Sequence, residues 1–405
     1  MHQEELYWRQ RSRISWLQDG DRNTRYFHAM ASQRKRNNHI KSLKNSEGYL
    51  VEDIVALHDM VRSYFNSLYH SDQPSHISNV MEQIDPIVRP DMNEYLLQDF
   101  APAEVYEALM QMHPTKAPGP DGMTAQFFQK YWHIVGDDVT TACLNCIHSG
   151  KVLKSINYTH ITLVPKVATP EFMTQFRPIS LCNVLYKIVS KMLANRLKKV
   201  LPDIILESQS AFVADRQISD NVLIVFELLH YMKSKRRGIT THMAAKLDMS
   251  KAYDKVEWEY LRAIMLKLGF HQNWVQLIMA CVSSVTYSAL VNGFPTEVIT
   301  PRGLRQGDPL SPYLFLLCAE GLLAMLRKAN QNSRIQGLSI SRGGIGFRDL
   351  QFFYQALLAK QGWRLLKCPG SLLQTLKIKV FPKLLFSRCY YSNSCILHVA
   401  KYCTS

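Results

Sequence analysis

Two short stretches of this chain carry the residue types that chemistry needs. In LDMSKAYDKVEW (247–258) an apolar approach ends in the carboxylate of Asp248, followed by a turn and a helix start. In PRGLRQGDPLSP (301–312) two glycines bracket Gln306, two cations flank it at Arg302 and Arg305, and a helix start follows. A carboxylate at the end of a strand can hold a hard divalent ion such as Mg²⁺, which takes one or two carboxylates besides substrate phosphates. The chemistry that fits is phosphoryl transfer, which asks for metal ions, cations on the phosphates and careful positioning. Gln306 can both donate and accept along a base or sugar edge, and Gly307 allows close backbone approach. Each stretch also has a plainer reading: Asp248 as a cap of the helix after it, and 301–312 as an ordinary polar loop.

The elements that position these residues follow from pattern. Ile161–Pro165 reads as a strand, and Met243–Met249 as another that carries Asp248 near its end. Val184, Leu185, Ile188, Val189, Met192, Leu193 and Leu197 share one helical face, predicting a helix that stops at Pro202. A second helix is predicted from about Ser219 to the basic cluster at 233–237, and a third from Glu257 to Leu268, closed by Gly269. Cys281–Asn292 reads as paired short strands. Leu310–Leu326 is the longest apolar run, but Pro312, Glu320 and Gly321 interrupt it, so it reads as a buried helix and no membrane span is expected.

The 405 residues, 47% of them hydrophobic, are enough for two or three cores, and a net charge of +15 points to a polyanionic partner. Near the N-terminus Trp8, Trp16, Tyr26 and Phe27 alternate with arginines including Arg22 and Arg25, and Arg34, Lys35 and Arg36 follow. Such mixing suits single-stranded nucleic acid, with rings for stacking and cations for phosphates; a solvated basic helix face is the alternative. Nine scattered cysteines without a signal peptide fit a reducing compartment and a protein that is not secreted. Cys143-x-x-Cys146 stands without a second pair, and Cys389, Cys395, His398 and Cys403 lack zinc-knuckle spacing. Gly136-Asp-Asp138 spells a polymerase-like triplet but precedes the other boxes in the chain and begins a helix.

Four ordered stretches carry a resemblance. ITLVPKVATPEFMTQFRPISLCNVLYKIVSKMLANRL (161–197), ESQSAFVADRQISDNVLI (207–224) and the two boxes are similar to the reverse transcriptase of plant LINE-type (non-LTR) retrotransposons. The flanking WLQDGDRNTRYFH, KAPGPDG and GGIGFRDLQFFYQALLAKQGWRLL resemble neighbouring segments of those elements. The resemblance implies an α+β right-hand polymerase, here fingers and a partial palm, acting on an RNA template, a DNA primer and deoxynucleoside triphosphates with Mg²⁺. It makes Asp248 the first metal-binding aspartate and catalytic residue, Tyr253 the gate against a 2′-hydroxyl, and Gln306 and Gly307 part of the nucleotide pocket. Lys166 and Arg177 become the fingers cations on the triphosphate, with Arg302 and Arg305 beside the nucleic acid.

The resemblance also exposes a departure. The family follows a segment like GLSIS with a Phe-Ala-Asp-Asp hairpin, whereas Gly337–Arg342 runs straight into Gly343-Gly-Ile-Gly. From Gly321 to Ser405 the only acid is Asp349. Asp254 is expected to face away from Asp248, and Asp308 to stabilise its own loop. The expected organisation is a basic helical extension over 1–100, a connecting helical segment over 101–157, the polymerase part over 158–342, and a displaced remnant over 343–405 that is poorly ordered. Met1 falls inside the family pattern, so no upstream endonuclease is expected. A nuclear or cytoplasmic location follows from the family. A non-catalytic nucleic-acid-binding protein or a transposon relic is the competing reading.

Overall fold

The first described element, helix α1 (Thr24–Asn38), carries Lys35 and Arg36 in its last turn, where cations suit the C-terminal end of the dipole. Strands β1 (Leu43–Lys44) and β2 (Leu50–Val51) pair as a small antiparallel hairpin. Helix α2 (Ile54–Leu68) starts at Asp53, whose side chain accepts from the Ala56 N–H, and it buries Leu57, Val61 and Phe65 on one face. Short helices α3 (Ile77–Met81), α4 (Pro90–Leu97) and α5 (Pro102–Met110) follow. Then come α6 (Ala125–Lys130), α7 (Trp132–Ser149) and the single turn α8 (Lys154–Asn157). This computed structural model describes residues 24–71, 74, 76–207, 209–234, 244 and 247–335, all on the N-terminal side of a unit boundary at Gln336.

Strands β3 (Tyr158–Pro165) and β4 (Phe176–Cys182) form an antiparallel hairpin with Val164 opposite Arg177. Their side chains alternate between buried and more accessible, as a sheet with one covered face requires. Strand β5 (Thr286–Val291) joins β3 in parallel and β6 (Phe294–Pro295) adds an edge, giving the order β4-β3-β5-β6. A parallel neighbour needs a long crossover. Helices α9 (Val184–Ile204), α10 (Ile218–Ser234), α11 (Trp258–Leu268) and α12 (Gln272–Ser283) lie along it, and α13 (Ser311–Gln331) follows the sheet. Two apolar cores result. The larger gathers α4, α5, α7, α9, α11, α12 and α13; the smaller packs α2 and the β1 hairpin against Ile161, Leu163, Phe176 and Tyr287 of the sheet.

The architecture is α+β, as expected, and α9, α10, α11 and α13 stand where the periodicity put them. Gly269 closes α11 at φ 100°. Three expectations are corrected. Helix α9 runs past Pro202 to Ile204, because Ile204 and Ile205 bury almost completely and Arg216 donates to the carbonyls of Pro202, Ile205, Leu206 and Gln209. Cys281 and Val282 close a helix whose buried stripe includes Trp274, Ile278 and Cys281, so the strand begins only at Thr286. Leu247, Asp248 and Met249 are exposed and irregular, because no described strand stands beside them to supply a ladder. Met243 lies outside the described residues, as do Arg22, the cluster at 235–237 and the remnant from Gly343 onward. The first hundred residues are not wholly helical, since the β1–β2 hairpin interrupts them.

Candidate functional site

The turn at Ser250–Asp254 and the loop at Arg302–Asp308 are bonded to each other. The Leu304 N–H donates to the Tyr253 carbonyl at 2.8 Å, and the Trp258 indole N–H donates to the Gly303 carbonyl at 2.9 Å. Gly303, at φ 75°, lets this happen: a Cβ there would stand 2.5 Å from the Asp254 carbonyl oxygen and 2.6 Å from that of Tyr253. The loop is bonded to the β3–β4 hairpin as well, since the Ser180 N–H of β4 donates to the Gln306 carbonyl at 2.9 Å. Gly307, at φ 111°, would bring a Cβ to 3.2 Å from the Ser180 carbonyl oxygen. Both glycines therefore serve close approach between segments of this chain.

Side chains converge on the same place. The Tyr253 ring is half-buried and stacks on Phe315 of α13 at 5.1 Å and 14°, and burial raises its phenol pKa. The Gln306 amide donates to Oδ2 of Asp254 at 3.4 Å. Asp254 is only 3% exposed and its carboxyl is pushed up to about 6, by burial first, against the opposing pull of Lys251, the Gln306 amide and Lys166. It was expected to face away from Asp248; it is buried, and its charge partners are Lys251, Gln306 and Lys166. Lys166 follows β3 and is exposed, with its Nζ donating to the Thr174 carbonyl at 2.9 Å. Its pKa is lowered by partial desolvation and then by the neighbouring charges of Lys251 and Arg177. Arg177 is exposed on β4.

Two expected ligand-facing cations are occupied by the fold. Arg305 is 3% exposed; it donates to the Asn157 side chain and to the Cys281 carbonyl, reaches Asp308 at 3.5 Å and lies 3.8 Å above the Tyr186 ring. Asp308 in turn accepts from Tyr186, Ser190 and the Leu310 N–H, so it holds its own loop as expected. Arg302 pairs with Glu257 and donates to the His70 and Lys255 carbonyls. A charge spent on internal acceptors is not offered to a phosphate backbone, which corrects the expectation for both arginines. Arg25, Arg34, Lys35 and Arg36 lie on α1, with Lys35 and Arg36 exposed. Lys251 was missed by sequence reading; a lysine three residues past Asp248 reads as a solvated charge until its strained backbone is seen.

Asp248 is exposed, and among the described residues no group of three His, Cys, Asp or Glu side chains could hold a metal ion. The donors among the described residues therefore do not make up a two-metal centre. Gly136, Asp137 and Asp138 lie within α7. Cys143 and Cys146 are buried on the same helix, where burial raises both thiols, Cys143 to about 12.

Residues 164–341 match the family described as reverse transcriptase (RNA-dependent DNA polymerase). The chain is 32% identical over 321 residues to an uncharacterised 149 kDa protein of transposon TX1 from Xenopus laevis, covering 78% of this chain and 24% of that one. It is 27% identical over 292 residues to the Pol polyprotein of the type-2 retrotransposable element R2DM from Drosophila melanogaster, covering 71% and 26%. A Pol polyprotein of the R2 element from Popillia japonica is 28% identical over 213 residues, covering 52% and 29%. The chain thus spans less than a third of the length of each of these relatives.

Proposed function

We propose that this chain, which over residues 164–341 belongs to the reverse transcriptase family, is the fingers and part of the palm of a non-LTR retrotransposon polymerase that has lost its own catalytic competence. The reaction of such a domain is attack of a primer 3′-hydroxyl on a deoxynucleoside triphosphate, directed by an RNA template. The observation that supports the reading is the bonded junction of the two boxes and β4, in which Leu304 is tied to Tyr253, Gln306 to Ser180 and Asp254, and Gly307 approaches Ser180. Tyr253, braced by Phe315, lies beneath an incoming sugar; Gln306 and Gly307 border the nucleotide; Lys166 and Arg177 meet its triphosphate. Divalent-metal use belongs to the family; Asp248 would be the first Mg²⁺ ligand of such a domain, and among the described residues it has no companion group able to complete that site.

The loss of competence rests on charge. A pair of divalent ions held side by side at a phosphoryl-transfer centre needs more than one carboxylate. Asp248 stands exposed with no three-donor group among the described residues, and Asp349 is the sole acid from Gly321 onward. The family match ends at residue 341, which supports a polymerase part over 158–342 and a junction at Arg342–Gly343. Primer extension by the full chain on an RNA template, with Asp248→Ala alongside, tests the reading. No product from either protein is expected; processive product abolished by Asp248→Ala overturns the defect. The net charge of +15 favours a second reading, nucleic-acid binding without catalysis. It predicts RNA affinity that falls steeply with salt and is unchanged by Asp248→Ala.

A further inference from the structure

Glu320 is a buried acid that the two boxes do not use. It lies on α13 at 3% exposure. Its Oε1 accepts from the Leu206 N–H, just past α9, at 3.3 Å, while Oε2 is buried with no hydrogen-bond partner. Burial raises its pKa, against the pull of that N–H and of Arg327 and Arg216. Arg216 gives Oε2 no hydrogen bond, because its guanidinium donates to the carbonyls of Pro202, Ile205, Leu206 and Gln209. A buried carboxylate oxygen without a donor costs free energy, and native folds keep few such atoms.

Glu320 also lines a cavity of about 150 Å³. The walls are apolar: Ile84 and Ile87 from the segment after α3, Leu268 at the end of α11, and Ala324 one turn further along α13. They are held in place, since the Ile87 and Val88 N–H groups both donate to the Leu268 carbonyl at 2.9 Å. Gly321 packs α13 closely on α11, where a Cβ would strike the Tyr260 hydroxyl. The other two lining residues, Asp85 and Arg327, are exposed, so the cavity reaches solvent on their side. With Glu320 ionised, two of its three charged groups are acids. A cavity of this volume holds a group the size of benzene, and water in it needs two to four polar partners, where these walls are mainly hydrocarbon. A cation on a short hydrocarbon stem suits both parts, its head on the carboxylate and its stem on the walls.

We propose that this cavity binds a primary alkylammonium group with Glu320 as its counter-ion, the group being carried by a free amine or by a lysine side chain of a partner. None of the lining residues belongs to the two boxes, and the site does not depend on the polymerase reading.

The test is saturation-transfer NMR on the full chain at pH 8, with n-butylammonium and its neutral counterpart 1-butanol. Wild type needs no variant for the first result: butylammonium is expected to bind about tenfold more tightly than butanol, the difference one charge-assisted contact makes. Glu320→Gln keeps the shape and drops the charge; it should lose that preference and leave butanol binding unchanged. Asp85→Asn, on the exposed side, should weaken butylammonium by less than about threefold. Ala324→Leu fills the cavity and should abolish both signals. Equal binding of the two ligands to wild type, no transfer to butylammonium, or an undiminished preference in Glu320→Gln overturns the site. Competition with spermidine and with Nα-acetyl-lysine methylamide separates the sources. Displacement by the lysine derivative assigns a partner's side chain, displacement by spermidine alone assigns a free amine, and displacement by neither overturns the assignment. Primer extension enters none of these readouts, so either proposal can fail without the other.

Discussion

Asp254 is an acid that folding makes harder to ionise. Its carboxyl rises from an ordinary 3.8 to about 6 on burial, even with Lys251, Gln306 and Lys166 drawing it down. The folded state therefore binds more protons than the unfolded chain between pH 4 and 6, so this group lowers stability as pH rises through that window and by a constant amount above it. Two units correspond to about 3 kcal/mol at most. Asp254→Asn keeps an acceptor for Gln306 and drops the charge. Denaturant titrations should find the variant more stable than wild type at pH 7, with the gap closing below pH 4; a gap independent of pH would show that Asp254 is already solvated. Gly303 makes a companion case. Gly303→Ala combines a left-handed backbone with a Cβ 2.5 Å from a carbonyl oxygen and should cost more than about 2 kcal/mol. Gly293→Ala, at φ 98° with open space around it, should cost only about 1.

The box loop is set by a buried network joining α9 to Asp308 and Arg305, and elements of this kind fail when one partner is removed. Asp308→Ala leaves the Arg305 guanidinium buried without its carboxylate, with the Tyr186 and Ser190 hydroxyls deprived of the acceptor they donate to. A loss of about 3–5 kcal/mol in chemical denaturation is expected, whereas an exposed pair such as Lys44–Glu171 should give less than about 1. None of this network was readable in the chain, since Tyr186 and Ser190 precede Asp308 by more than a hundred residues. What was legible were elements whose evidence is local. Helix α11 declares itself by its apolar spacing and by Gly269, and α13 by the longest apolar run of the chain. The segment ending at Asp248 looks like a strand by composition, yet a strand exists only with a paired neighbour, and that neighbour is not a property of the segment. Cys281–Val282 was ambiguous for a related reason: β-branched residues fit a buried helix stripe as readily as a sheet. The burial of Asp254, in a turn whose backbone is left-handed at Lys251, is encoded by no spacing rule.

At the scale of the molecule, helix α10 presents apolar side chains to solvent. Val222, Val225, Phe226 and Leu229 are all exposed, Val222 by 62% and Phe226 by 64%. They form two i,i+4 pairs, the spacing by which a helix normally buries a face. Leu247 and Met249, leading into the first box, are exposed too, and no described element covers either segment. Each large side chain buried between molecules gains roughly 1.5–3 kcal/mol, so four on one helix outweigh the repulsion between chains of charge +15 once salt screens it. Contiguous exposed apolar surface of this kind promotes association. The full chain should therefore self-associate increasingly as salt is raised, and Val222→Lys with Phe226→Glu should restore a monomer on gel filtration. Because these side chains stay largely exposed among the described residues, the double variant's melting midpoint should match that of wild type within a few degrees. A wild type that stays monomeric in high salt, or a double variant that unfolds early, would mean that this face is already covered in the native protein.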